Sequence, residues 1–177
     1  MRIGKIDYFA GVFMTTILQS VKTTPMYCEA TDDSRRAEFE TDTGKFNVFI
    51  KYSTARKVGW DYDCTPKKKR VYWNVTFQDA HYNYLRNHFH VAGKRNLVVI
   101  VCTDANMKET RIAILQLDEA LLCLSTSTSS GTRRITVSRT GGEHSFSCYG
   151  VNNAGIDKNI QPFVNHMRFF DEDSNDE

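Results

Sequence analysis

Between positions 56 and 73 the chain interleaves cations with flat rings. Arg56, Lys57, Trp60 and Tyr62 precede the run Lys67, Lys68, Lys69, Arg70, and Tyr72 and Trp73 follow at once. Phosphates demand cations and unstacked bases favour aromatic faces, each stacked base contributing about 1–3 kcal/mol in single-strand binders. The surrounding segment, residues 51–95, carries ten Lys/Arg against three Asp, a net of +7 in a chain whose formal charge is +2. The pattern points to a surface for DNA or RNA. Lys67, Lys68, Lys69 and Arg70 would contact phosphate, Lys57, Arg86, Lys94 and Arg95 would extend the positive field, and Trp60, Tyr62 and Tyr72 would stack. Trp73 stands apart because it alternates in phase with Val71, Val75 and Phe77, the signature of a buried strand face. The competing reading of the basic run is a solvated loop. Tyr and Trp also favour protein interfaces, so a protein-binding adaptor is the alternative function.

A second constellation is acidic. Glu38, Glu40 and Asp42 keep even spacing, so they share a strand face until a turn intervenes, and Lys51 follows on the next strand. Two or three carboxylates around a divalent cation, with a lysine to stabilise charge, is the equipment of a metal-dependent nuclease, with Mg²⁺ as the only cofactor implied. Glu40, Asp42 and Lys51 are the candidate catalytic residues, and the order helix, three strands, helix, strand loosely resembles the core of the restriction-endonuclease-like families. That resemblance implies an acid two residues before the catalytic lysine. Here the position is Phe49, which removes a ligand and ranks the nuclease third, as a degenerate one. Acids on an exposed edge strand are otherwise explained by solvation.

Histidines fall at 81, 88, 90, 144 and 166, and His88 and His90 invite a zinc reading. On a helix those two point about 200° apart, and the nearest cysteines, Cys64 and Cys102, complete no ligand pattern, so no metal site is expected. Asp61 and Asp63 are too few for a cation site. Phosphate-cradling glycine loops and the G-x-S-x-G elbow are both missing from the sequence. The tail from Asp171 to Glu177 carries a net of −5. It reads as a disordered solubilising end, or as an internal competitor for the basic segment.

These residues must be positioned by the rest of a 177-residue chain, 41% apolar and 25% charged, long enough to bury a core without staples. The pattern predicts a single α+β domain over residues 1–170, with a weak internal boundary at the polar segment 125–131. An amphipathic helix is expected over 5–20, a loop over 22–34, a hairpin over 37–41 and 45–53, and a long loop or extended hairpin over 54–70. A third strand follows at 71–77, and Thr76, followed three residues later by Asp79, marks the start of a second helix. Residues 97–102 are continuously apolar, as in a central strand. Then come a strand at 111–115, a short helix at 118–124, a hairpin over 134–138 and 145–149, and a closing helix over 155–170. This is a helix-β-β-β-helix-β core with a mixed sheet, a C-terminal β-hairpin and a closing helix. Five cysteines with no close pair, and no leader or apolar run of about 20 residues, point to a reduced, cytoplasmic protein without a membrane partner. The sequon at Asn74 therefore carries no weight.

Overall fold

The computed structural model describes residues 4–20, 23–30, 34–62, 64–155 and 160–170. It is a single α+β domain of two sheets. The larger has the order β1 (Thr23–Ala30), β2 (Arg35–Thr41), β3 (Gly44–Ser53), β6 (Arg95–Thr103), β7 (Thr110–Gln116), β10 (Phe163–Val164). The smaller has the order β4 (Arg56–Asp61), β5 (Lys68–Phe77), β8 (Arg133–Thr140), β9 (Ser147–Tyr149). All pairings are antiparallel except β3 with β6. Parallel neighbours need a crossover, and here it consists of the β4–β5 hairpin and the helix α2 (Asp79–Asn87).

The larger sheet is covered on both faces, which explains the unbroken apolar run of β6. On one face Leu97, Val99 and Val101 meet Phe9, Phe13 and Ile17, which helical spacing lines up along α1 (Lys5–Ser20). On the other, Val98, Ile100 and Cys102 meet Trp73, Val75 and Phe77 of β5, Leu85 of α2, and Ala120 and Cys123 of α3 (Leu117–Cys123). Strand β3 has the expected alternation: Phe46, Val48 and Ile50 face α1, and Phe49 faces the smaller sheet. Beyond the polar segment 125–131, β8 pairs with β5 over eight residues, from Arg70 opposite Thr140 to Phe77 opposite Arg133.

Four expectations are corrected. Residues 23–30 form an edge strand rather than a loop; Pro25, the loop signal, is tolerated there because one side of an edge strand needs no donor, and the register shifts between Pro25 and Tyr27. Residues 56–61 realise the extended-hairpin alternative for 54–70, and with β1 they make five strands rather than three between α1 and α2. Helix α2 starts after Gln78, whose backbone N–H donates to His81 Nδ1 at 3.1 Å, and not after Thr76, which still belongs to β5. No closing helix runs through the described part of 155–170: the segment holds β10 and a 3-10 turn at Met167–Phe170. Pro162 lacks an N–H, and Asn165 adopts a left-handed φ of 56° while exchanging bonds with Ile112. Residues 156–159 and the acidic tail, 171–177, lie outside the described residues. Among those described, no helix is long and apolar enough to cross a membrane.

Candidate nucleic-acid interface

The basic and aromatic residues converge on the β4–β5 hairpin. Residues directly opposite in an antiparallel pair share a face, so the register assigns each side chain. Lys57 with Tyr72, Gly59 with Arg70 and Asp61 with Lys68 lie on one face; Arg56 with Trp73, Val58 with Val71 and Trp60 with Lys69 lie on the other. The second face is the one that enters the core at Trp73. Nearer the tip it is uncovered, leaving Val58 58% and Trp60 48% exposed. At the tip Tyr62 is 70% exposed, with Lys67 Nζ 4.7 Å from its ring centre. Tyr72 is half-buried; its ring lies across Gly59, where a Cβ would sit 3.4 Å from Cε1, and takes the Arg70 guanidinium at 5.1 Å. Lys57, Lys67, Lys68 and Lys69 are all exposed. The hairpin is thus the edge of the smaller sheet, its tip running past the β8 pairing at Arg70 as a short arm, with cations on both faces and two open rings, Trp60 and Tyr62.

Two bonds brace the arm against the neighbouring strand. Thr140 Oγ1 donates to Asp61 Oδ2 at 2.7 Å, and Gly141 N donates to Lys69 O at 2.6 Å. Trp73, buried to 1% exposure, is core as its phase predicted. Cys64, near the tip, has its thiol pushed up by desolvation and by the Asp61 carboxylate. Asp63 lies outside the described residues.

Three of the predicted cations do not join the arm. Lys94 is ion-paired with Glu38 at 2.5 Å. Arg95 packs over the Phe169 ring at 4.0 Å and donates to its carbonyl, and burial lowers its pKa. Both stand at the opposite end of β6 from Thr103, which bonds Trp73, roughly 25 Å away at about 3.3 Å per residue. Arg86 is exposed on α2, past the far end of β5.

The nuclease residues do not meet. Glu40 lies 4.0 Å from Lys45, with Asp42 in the adjoining turn, and Lys51 is six residues further along β3, roughly 20 Å at strand rise. Lys51 is 4% exposed with Nζ 5.6 Å from the Phe77 ring centre, and Phe49 packs among Phe77, Tyr84 and Phe89. Glu38 is engaged by Arg36 and Lys94. Among the described residues no three His, Cys, Asp or Glu side chains group as metal ligands.

Sequence reasoning missed a pocket of about 420 Å³ between the two sheets. Arg111 lines it from β7 and Arg139 from β8, together with His144, Phe146, Gln161, Phe163, Asn165 and His166. Arg111 lies opposite Cys102, and Arg139 opposite Val71, so each projects from the core-facing side of its own sheet. Arg139 stacks on Phe146 at 5.0 Å. Arg111 Nη2 donates to Glu109 at 2.7 Å, but its buried Nε has no hydrogen-bond partner among the described residues. The available signal was phase: Arg111 keeps step with Ala113 and Leu115, and Arg139 with Ile135 and Val137, so each is a charge on an apolar stripe.

No protein-family model, curated protein or solved structure matches the chain.

Proposed function

We propose that the protein is a nucleic-acid-associated binding protein that uses the β4–β5 arm. The observation that carries this reading is the placement of Lys57, Lys67, Lys68, Lys69 and Arg70 on one narrow hairpin beside the open rings of Trp60 and Tyr62. Exposed rings between cations suit an unpaired strand, whose bases can stack on them. Arg86 is a peripheral contact in this reading; Lys94 and Arg95, occupied by Glu38 and Phe169, hold the fold. The buried free thiols of Cys102, Cys123 and Cys148 favour a reducing, cytoplasmic setting. The nuclease reading receives no support from the separation of Glu40 and Asp42 from Lys51.

Fluorescence anisotropy of labelled single- and double-stranded DNA and RNA across a salt series tests the proposal. Binding should weaken steeply with salt, and Lys67→Gln/Lys68→Gln/Lys69→Gln should reduce the log–log slope by about 2–3, at ~0.7–0.9 for each phosphate no longer neutralised. Affinity indifferent to salt and to these substitutions would overturn it. One observation favours the second reading, a protein-interaction module: β4 is the outer strand of its sheet, with Val58 and Trp60 exposed. A segment adding to that edge would bind through backbone hydrogen bonds and apolar contact, with little salt dependence.

A further inference from the structure

We propose that the pocket between Arg111 and Arg139 is a phosphate-monoester site, which receives the terminal phosphate of a strand held on the arm or the phosphate of a free nucleotide. The first source rests on the function proposed above; the second does not.

Two guanidinium groups from facing sheets are directed into one small space, and no Asp or Glu among the described residues lines it. Glu109 pairs with Arg111 at 2.7 Å, so the attraction for an anion comes mainly from the Arg139 charge, with Arg111 supplying further donors. Arginine presents a planar fork of donors that matches phosphate oxygens. Here the fork is held in place: Arg139 stacks on Phe146, and Arg111 is steered by Glu109, which leaves the buried Nε donor without an acceptor among the described residues. An unmet buried donor is what a bound oxyanion would satisfy. The rim is built rather than loose. Asn165 Oδ1 accepts from Ile112 N at 2.8 Å and Asn165 N donates to Ile112 O at 2.9 Å, which fixes the strand end from which His166 extends.

The charge argues for a monoester, with Phe146, 7% exposed, supplying an apolar wall. A monoester carries about 1.5 to 2 negative charges near neutrality and three acceptor oxygens, more than a diester offers to the Arg139 charge and the Arg111 donors. The pocket is continuous with the arm. Arg139 shares its sheet face with Val71, and that face continues through Lys69 to Trp60. Two strand spacings of about 4.8 Å and two residues of about 3.3 Å separate Arg139 from Trp60, a span of one or two nucleotides. A strand stacked on Trp60 could therefore place its end between the arginines.

The test uses the full chain and four probes: inorganic phosphate and adenosine 5′-monophosphate by calorimetry, and a single-stranded 12-mer with and without a terminal phosphate by anisotropy. The phosphorylated oligonucleotide should bind about tenfold more tightly than its hydroxyl counterpart, in line with charge-assisted bidentate contact. That preference should disappear in Arg139→Gln and shrink in His166→Gln, whose exposed side chain leaves the core intact. Arg111→Lys keeps the charge but loses the fork, and should also abolish the preference. If the nucleotide binds and loses affinity in Arg139→Gln while oligonucleotides bind without salt dependence, the pocket is a free phosphate-ester site and the arm reading fails. If oligonucleotides bind with steep salt dependence but ignore the terminal phosphate, and neither small probe binds, the arm stands and the pocket proposal is overturned.

Discussion

Trp73 Nε1 donates to the backbone carbonyl of Thr103 at 2.8 Å, tying the root of the arm in the smaller sheet to the end of β6 in the larger one. Both groups are buried, so the bond fastens the smaller sheet to the larger one at this point. Trp73→Phe keeps an aromatic ring but strands the carbonyl, a loss of about 2 kcal/mol. Urea denaturation should report it as a lower midpoint with unchanged slope, while oligonucleotide affinity of the folded variant stays near the parent value.

The chain has only two tryptophans, and the other, Trp60, is exposed on the arm. Oligonucleotide binding should therefore quench the emission of Trp60 and leave that of Trp73. The quench should survive in Trp73→Phe and vanish in Trp60→Ala, which should also weaken single-strand affinity by about tenfold, the loss of one stacked base. Quenching that persists without Trp60 would contradict this assignment.

The sequence made the arm legible in its parts but not in its geometry. Alternation separated Trp73 from Tyr72 correctly, because a period of two is a local property of the chain. What alternation could not reveal was the fate of Lys94 and Arg95. They sit in the same basic segment, yet α2 carries the chain away before β6 begins, and their partners, Glu38 and Phe169, are remote in sequence. The edge strand β1 was hidden by Pro25, whose missing donor rules out a central strand but not an outer one. The pocket was hidden more deeply, since Arg111 and Arg139 come from different sheets and only the packing of those sheets brings them together.

Acid should destabilise the fold through two carboxylates. Arg35 donates to Asp7 Oδ1 from Nε at 2.8 Å and from Nη2 at 2.6 Å, and these bonds hold the Asp7 carboxyl below its usual range. Lys94 does the same for Glu38, outweighing the partial burial that acts in the opposite direction, with Arg36 assisting. A group with a folded-state pKa below its unfolded value stabilises fully above the unfolded pKa and loses that contribution as pH falls through the folded one. The thermal midpoint should drop as pH is lowered from about 5 toward 3, the range where free carboxylates and then these two take up protons. Glu38→Gln should cost about 1 kcal/mol at pH 7 and flatten the acid limb of that profile.

Gly150 follows β9 where the chain passes over the end of α3. A Cβ there would lie 1.7 Å from the Cys123 carbonyl oxygen, a backbone atom with nowhere to retreat. Gly150→Ala should destabilise by about 3 kcal/mol, the upper end of the usual overpacking penalty. Differential scanning calorimetry would check this, and a midpoint unchanged from the parent would refute the close approach.

The clip from Thr140 to Asp61 and the bond from Gly141 to Lys69 attach the tip of the hairpin to a third strand. A projection stiffened in this way meets its target already in docking shape, so the loss of motional freedom on association falls mainly on the partner. Thr140→Val, which cuts the clip to Asp61 but leaves the β5–β8 ladder whole, should accordingly leave the contacts in place and still weaken binding modestly, through the freedom the loosened tip regains when unbound.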